Sequence, residues 1–171
     1  MDTRAPEAPH AAADRQITAL YQAHALSLAR LALLMLGDRD AAQDVVQDAF
    51  LGLYRRWDKL ASADAAPAYL RASVLNGCRT LLKRRSLPTL DADEASLDSA
   101  EAALLHTEQQ RAMFAAIRRL PARQRETLVL RYYLDMSEDQ AARAMGVSRG
   151  TVKAATSRAI AAIGRMLKEE S

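Results

Sequence analysis

Cysteine, histidine and aromatic residues are scarce in this chain. Its 171 residues include one cysteine, Cys78, so an internal disulfide and a zinc site built from cysteines are excluded. The three histidines, His10, His24 and His106, are scattered and lack the spacing of metal ligands. Aromatic residues make up 5 % of the chain and apolar residues 50 %. With many alanines, this composition favours close packing of helices over a β-sandwich.

Long hydrophobic runs and a strong net charge are also absent. The longest apolar run, residues 31–36, is too short to cross a bilayer. The start of the chain lacks the basic-then-apolar order of a secretory signal, so we expect a cytoplasmic protein without a membrane span. The net charge of +3 is weak support for a nucleic-acid partner. The charges are instead clustered along the chain, which implies separate partners for separate faces.

Residues 137–153 have the pattern of two helices joined by a tight turn. Ser137 and Gln140 form a capping box, and Gly146 stands where a left-handed residue would end the first helix. Ser148 is placed to cap the second helix, whose apolar positions recur with a helical period. This pattern predicts a helix-turn-helix whose second helix enters the major groove of DNA.

The face of this second helix that lies opposite the apolar stripe is basic and polar. Its candidate DNA-binding residues are Arg149, Thr151, Lys153, Ser157 and Arg158. Arg and Lys can bond guanine edges, and Ser can bond a base edge or a phosphate. A basic face is also typical of an ordinary solvated helix. Together with the two caps and the glycine turn, we interpret it as DNA-binding.

Upstream, the periodicity predicts helices over residues 16–36, residues 39–57 and from Pro67 onward, with a loop at residues 59–66. The second is the clearest amphipathic helix in the chain. The face opposite its apolar stripe is acidic and polar and carries Asp44, Gln47, Asp48 and Leu51. Such a face is usually only solvated, and Leu51 is a mild indication of a protein partner, because single exposed apolar residues are common.

The helix that begins at Pro67 becomes basic towards its C-terminal end. Arg79, Lys83 and Arg84 follow Asn76 along it. These cations also suit the helix dipole, so a purely structural role remains an alternative to DNA binding. Cys78 falls within the same helical pattern and is expected to be a small buried thiol.

These patterns predict an all-α protein of two small helical domains joined by a flexible linker. Residues 1–14, rich in Ala and Pro, are expected to be disordered, and residues 15–85 form the first domain. Residues 86–101 lack periodicity and predict the linker. The second domain spans residues 102–171. Within it we predict helices over about 102–119 and from Pro121 to Tyr133, with Leu128, Val129, Tyr132 and Tyr133 packed against the helix-turn-helix.

Two helical domains in this order resemble the small extracytoplasmic-function (ECF) class of bacterial RNA polymerase sigma factors, in the sigma-70 family. Four motifs carry the resemblance in the family's order: residues 40–50 (DAAQDVVQDAF), 69–76 (YLRASVLN), 120–126 (LPARQRE) and 146–153 (GVSRGTVK). The resemblance covers the chain from about Leu20 to Leu167. It implies a region-2 domain, a linker in place of region 3 and a region-4 domain, in an alternative sigma factor that directs promoter-specific transcription initiation.

The resemblance also assigns partners to the faces already described. In the family, the helix matching residues 40–57 docks on the beta-prime clamp of core RNA polymerase, which implies that Asp44, Gln47, Asp48 and Leu51 bind polymerase. The loop at residues 59–66 and the following helix match the reader of the minus-ten element as single-stranded DNA. Asn76 would lie near a base pocket, with Arg79, Lys83 and Arg84 on the DNA backbone. The C-terminal helix matches the reader of the minus-thirty-five element.

The implied partners are therefore core RNA polymerase, through its beta-prime clamp and beta subunit, and promoter DNA. In this family an anti-sigma factor commonly occludes both surfaces, although no residue of this chain identifies one. The chain departs from the family at Ala154, Ala155 and Thr156, where many members have Ser, Arg and Leu. Fewer polar groups then reach DNA. Tyr69 is the only aromatic residue of the Asn76 helix, which predicts weaker and promoter-restricted strand opening.

Two other classes of function compete with this interpretation. A stand-alone helix-turn-helix regulator explains residues 137–165 equally well, but it leaves the acidic helix and the basic segment 79–85 unexplained. An enzyme is less favoured, because the chain has no nucleophile elbow, P-loop or His/carboxylate constellation. We therefore expect no catalytic residue, no metal and no cofactor.

Overall fold

The computed structural model describes residues 9–85 and 107–169, which form helices and short turns without a β-strand. These residues divide into two compact units. The first consists of residues 9–32 and 40–85, and the second of residues 33–39 and 107–169. The predicted all-α fold of two helical domains is confirmed. The predicted linker, residues 86–101, lies outside the described residues.

Three helices supply the first unit: α1 (Pro9–Leu36, to residue 32 in this unit), α2 (Arg39–Arg55) and α3 (Ala66–Arg85). The predicted loop between α2 and α3 contains two short 3₁₀ turns, Trp57–Lys59 and Ala63–Ala65. α1 begins at Pro9, earlier than the start predicted at residue 16. Alanine is the strongest helix former and proline is tolerated in a first turn, which together allow this earlier start.

The apolar stripe predicted for α2 forms part of a core with α1 and α3. The buried residues of α2 are Ala42, Val45, Val46, Ala49, Phe50 and Leu53. Val74 and Cys78 of α3 are fully buried, which confirms the predicted thiol environment. A Cβ atom on Gly77 would lie 2.9 Å from a methyl carbon of Val45, so α3 and α2 approach closely there. Burial of this stripe leaves the opposite face of α2 exposed.

α1 is long and apolar enough, by length and composition alone, to cross a membrane. No single run of apolar residues in it is long, but the average over the helix is apolar. Leu28 and Leu31 of α1 are buried in the structure. A core helix of a soluble protein meets the same criterion, so this feature is weak support for a membrane span.

The second unit contains α4 (Glu108–Arg119), α5 (Ala122–Leu128), α6 (Glu138–Met145) and α7 (Arg149–Glu169). α4 begins at a capping box, in which the Thr107 hydroxyl accepts from the Gln110 N–H at 3.1 Å and the Gln110 side chain accepts in return at 3.3 Å. The helix predicted from about residue 102 therefore starts later, and residues 102–106 lie outside the described residues. α5 follows Pro121, which is its N-cap.

α5 passes directly into a π-helical turn, Val129–Tyr133. The N–H of Leu134 donates to the carbonyl of Val129 at 2.9 Å, and the Arg131 guanidinium donates to the carbonyl of Met136. A π turn holds more residues per turn than an α-helix, so it interrupts the regular helical stripe that begins in α5.

Leu128 and Val129 are buried, as predicted, whereas Tyr132 is 63 % exposed and Tyr133 38 % exposed. One core cluster of this unit joins α4, α5 and α7 and contains Ala116, Leu120, Leu128, Ala159 and Ile163. Leu130 is fully buried, as are Ala141 and Val152 within the helix-turn-helix. This packing fixes α7 by its apolar face and leaves its other face exposed.

Candidate nucleic-acid and protein interfaces

The helix-turn-helix is held at both helix starts and at the turn between them. The Ser137 hydroxyl accepts from the Gln140 N–H at 3.1 Å, and the Gln140 side chain accepts from the Ser137 N–H at 2.8 Å. Gly146 ends α6 in the left-handed conformation, with φ 64° and ψ 36°. The Ser148 hydroxyl accepts from the Thr151 N–H at 3.1 Å and so caps α7. The predicted capping box, glycine turn and second cap are confirmed.

The five candidate DNA-binding residues of α7 are all exposed: Arg149, Thr151, Lys153, Ser157 and Arg158. The Thr151 hydroxyl lies 2.9 Å from the Ser148 hydroxyl, so it also belongs to the helix cap. Ala154, Ala155 and Thr156 are half-buried, and the Thr156 hydroxyl donates to the carbonyl of Val152 at 2.8 Å. The positions where the chain departs from the family therefore add little polar surface to the exposed face.

Arg149 is bound to the first turn of α6. Its Nε donates to a carboxylate oxygen of Glu138 at 2.9 Å, and its Nη1 lies 3.8 Å from a carboxylate oxygen of Asp139. The side chain of Arg149 is 66 % exposed and that of Glu138 only 28 %. Sequence reasoning missed this contact. The available signal was the pair of opposite charges at the first positions of two helices joined by a tight turn.

Glu138 lies among several cations. The hydrogen bond from Arg149 lowers the pKa of Glu138, and the charges of Arg149, Arg131 and Lys153 add to this effect against a smaller opposing effect of burial. The same hydrogen bond, followed by the charge of Asp139, raises the pKa of Arg149. Both groups are therefore charged at neutral pH.

On α2, the four candidate polymerase-binding residues share one exposed face: Asp44, Gln47, Asp48 and Leu51. Leu51 is 47 % exposed, as predicted for a residue outside the core. Tyr54 follows Leu51 by three residues on the same face and is 48 % exposed. Tyr54 was not among the residues predicted from the sequence, although its spacing from Leu51 could have indicated it. The face combines carboxylates with two exposed apolar side chains.

On α3, the candidate residues Asn76, Arg79 and Lys83 follow one another along one face of the helix, with Arg84 beside them. Arg79 is half-buried and the other three are exposed. Nη1 of Arg79 donates to Oδ1 of Asn76 at 3.1 Å, which orients the amide. Asn76, Arg79, Lys83 and Arg84 belong to the first unit, and the residues of α7 belong to the second. Within residues 9–85 and 107–169, no cluster of His, Cys, Asp and Glu could hold a metal ion.

The fold and these surfaces define a class: an all-α protein with a DNA-binding helix-turn-helix unit and a second helical unit. Residues 20–87 match the family described as sigma-70 region 2, and residues 110–163 match sigma-70 region 4. The chain is 36 % identical over 148 residues to an RNA polymerase sigma-E factor of Streptomyces avermitilis, which covers 83 % of this chain and 79 % of that protein.

A second relative is the ECF RNA polymerase sigma factor SigM of Mycobacterium tuberculosis, 32 % identical over 162 residues, or 94 % of this chain and 82 % of that protein. The chain therefore belongs to the ECF class of the sigma-70 family and is an alternative sigma factor that directs transcription initiation. The matches include a region-2 domain, which a stand-alone helix-turn-helix regulator does not need. That alternative has no support.

Two solved structures share the fold. CnrH in complex with the cytosolic domain of CnrY has a TM-score of 0.64 and 24 % identity, over 95 % of this chain and 96 % of that chain. RpoE in complex with the anti-sigma factor NepR, from Bartonella quintana, has a TM-score of 0.63 and 22 % identity, over 87 % and 96 %. At these identities the likeness shows the arrangement of the chain, and it leaves the roles of individual residues to the geometry above.

Proposed function

We propose that this sigma factor docks on core RNA polymerase through α2 and binds promoter DNA through α3 and α7. Residues 15–85 would serve polymerase docking and the minus-ten element, and residues 102–171 the minus-thirty-five element. The observation that carries the proposal is the combination of an intact helix-turn-helix in one unit with an exposed acidic and apolar face of α2 in the other.

The docking surface consists of Asp44, Gln47, Asp48 and Leu51, to which we add Tyr54. Its carboxylates would steer α2 towards a basic site on the beta-prime clamp. Leu51 and Tyr54 supply apolar area for the centre of the contact, where interfaces are depleted of charge. The second unit would add contacts to the beta subunit.

The minus-ten surface consists of Asn76, Arg79, Lys83 and Arg84 on α3. Extruding a base from the stack costs a few kcal/mol, so phosphate contacts and a shaped base site must compensate. The cations supply phosphate contacts, and the Asn76 amide, oriented by Arg79, supplies a hydrogen-bonding group for the base. With Tyr69 as the one aromatic residue of α3, strand opening would be restricted to selected promoters.

The minus-thirty-five surface consists of Arg149, Thr151, Lys153, Ser157 and Arg158. Residues near the start of a recognition helix reach base edges, and later basic residues more often reach phosphate. We therefore assign base contacts to the first turns of α7 and backbone contacts to Arg158. Ala154 and Ala155 leave few further groups for base reading.

The chain would act in the cytoplasm, where core polymerase supplies all covalent chemistry and this subunit supplies promoter choice. The RpoE structure from Bartonella quintana contains an anti-sigma factor. By extension from that relative, we propose that an anti-sigma factor also regulates this chain by covering its polymerase- and DNA-binding surfaces.

In-vitro transcription with core polymerase on a genomic promoter library tests the function directly. We expect transcripts that require this chain and that start downstream of a shared pair of sequence elements. Core polymerase alone is the control. If the chain neither co-purifies with core polymerase nor changes the set of transcripts, the proposed function is wrong.

A further inference from the structure

We infer that Glu138 determines the base selectivity of α7, because it holds Arg149 in one orientation and weakens binding to DNA of any other sequence. This inference rests on the proposed function, in which α7 reads the minus-thirty-five element. Glu138 would touch no base itself. It would act through Arg149 and is therefore a positioning residue.

The Arg149 guanidinium is held by carboxylates on one side, and its other side is available for a contact with DNA. Glu138 accepts from Nε at 2.9 Å, and Asp139 lies 3.8 Å from Nη1. Nη2 makes no hydrogen bond to protein within residues 9–85 and 107–169. The side chain is 66 % exposed, so its free end can meet a base edge. An arginine that is already oriented loses less conformational entropy when it makes a bidentate contact to guanine.

Both ends of this ion pair stand on fixed backbone. Glu138 is the first residue of α6 and directly follows Ser137 of the capping box. Arg149 is the first residue of α7 and directly follows Ser148, whose hydroxyl caps that helix. Many surface ion pairs contribute little because both side chains must be ordered. Here the two caps and the 28 % exposure of Glu138 reduce that cost.

The charge of Glu138 has a second effect, on binding to DNA of any sequence. The start of a helix would by itself favour a phosphate group. In α6, Glu138 and Asp139 occupy that start, and their charges repel the DNA backbone. Glu138 also offsets the nearby charges of Arg131, Arg149 and Lys153. Non-specific affinity follows the number of cations that neutralise phosphates, so loss of this carboxylate would raise it.

The test uses Glu138→Gln, which keeps the shape of the side chain and removes its charge. The full chain is assembled with core polymerase and bound to a promoter whose minus-thirty-five segment has been randomised, and bound sequences are counted. We expect discrimination at one base-pair position to fall by roughly fivefold to tenfold, the lower end of what one bidentate Arg contact supplies, because Arg149 itself is still present. Affinity for scrambled segments should rise and depend more steeply on salt.

Glu108→Gln is the matched control, because it makes the same change of net charge in the same unit. Glu108 is 92 % exposed and pairs with Arg111 only at 4.0 Å, at the start of α4. We expect the control to leave base preference unchanged. If Glu138→Gln and Glu108→Gln give the same sequence preferences, the inference is wrong.

A double-variant cycle separates positioning from a general structural effect. Arg149→Ala should remove the same base preference, and Glu138→Gln added to Arg149→Ala should change that preference no further. A further loss in the double variant would overturn the role of Glu138 as the holder of Arg149. If Arg149→Ala and Lys153→Ala both leave the preference unchanged, the assignment of α7 as the reader fails instead, which is a distinguishable result.

Discussion

At the scale of single residues, two glycines of the second unit show how backbone conformation decides the effect of a methyl group. Gly146 has φ 64°, and a Cβ there would meet no atom within 4 Å. Gly164 lies within α7, has no positive φ and also has open space around it. The two positions therefore differ in backbone strain and share the absence of steric conflict.

We expect Gly146→Ala to lower the free energy of unfolding by about 1 kcal/mol, because an L-residue is strained in the left-handed region. Gly164→Ala should raise it by about 0.5–1 kcal/mol, because alanine loses less backbone entropy in a helix. Urea unfolding of the full chain, followed by circular dichroism, measures both. Shifts of the same sign would contradict this account of the turn.

The pKa of Glu138 gives a second residue-scale prediction. Its pKa in the folded chain is lowered from 4.5, first by the hydrogen bond from Arg149. The ionised form therefore favours folding, and this stabilisation is present above about pH 4.5 and is lost as pH falls through the lowered pKa. In an NMR titration of the side-chain carboxyl, we expect Arg149→Ala to raise the pKa of Glu138 towards 4.5. An unchanged pKa would mean that the hydrogen bond is absent in solution.

At the scale of helices, local signals predicted most of the elements, whereas the contacts between elements could not be predicted from them. The capping box at Ser137 and the glycine at Gly146 are local, and both were found as predicted. The π-helical turn Val129–Tyr133 was not predicted, because no residue type marks it and apolar periodicity alone suggests a regular helix. The contact between Glu138 and Arg149 was missed because it depends on how two helices meet, and periodicity describes each helix by itself.

The face of α2 gives the prediction that belongs to this scale. Asp48→Arg and Leu51→Asp should each weaken binding to core polymerase, because one reverses a steering charge and the other places a charge in apolar contact area. Both side chains are exposed, so the fold should remain intact. A pull-down with core polymerase, with circular dichroism of each variant, measures the two effects.

Asp14→Arg is the control for this face. Asp14 is exposed on α1, so the variant makes the same charge change on a different helix of the same unit. We expect it to bind core polymerase as the unmodified chain does. If Asp48→Arg binds as well as Asp14→Arg, the docking surface has been placed on the wrong face.

At the scale of the whole molecule, the two proposed DNA-binding surfaces belong to different compact units. The helix-turn-helix alone indicates a generic protein that reads duplex DNA. With the region-2 domain, the proposed function gives the chain one surface for an opened strand and another for duplex DNA. Substitutions in separate units that do not contact each other, and that meet different promoter elements, usually have additive effects on free energy. From the division into two units, we therefore expect the losses of promoter-binding free energy from the two surfaces to add.

We expect Lys153→Ala to weaken promoter binding by polymerase that carries this chain by about 1–3 kcal/mol if Lys153 contacts a base. Its effect should then depend on the minus-thirty-five sequence, whereas Arg158→Ala should act uniformly across sequences, as a phosphate contact does.

Asn76→Ala should act through the minus-ten element alone. The double variant of Asn76 and Lys153 should lose the sum of the two single effects to within about 0.5 kcal/mol. Binding to promoter variants at fixed salt measures all four. A double variant no weaker than Lys153→Ala would show that Asn76 lies outside the minus-ten surface.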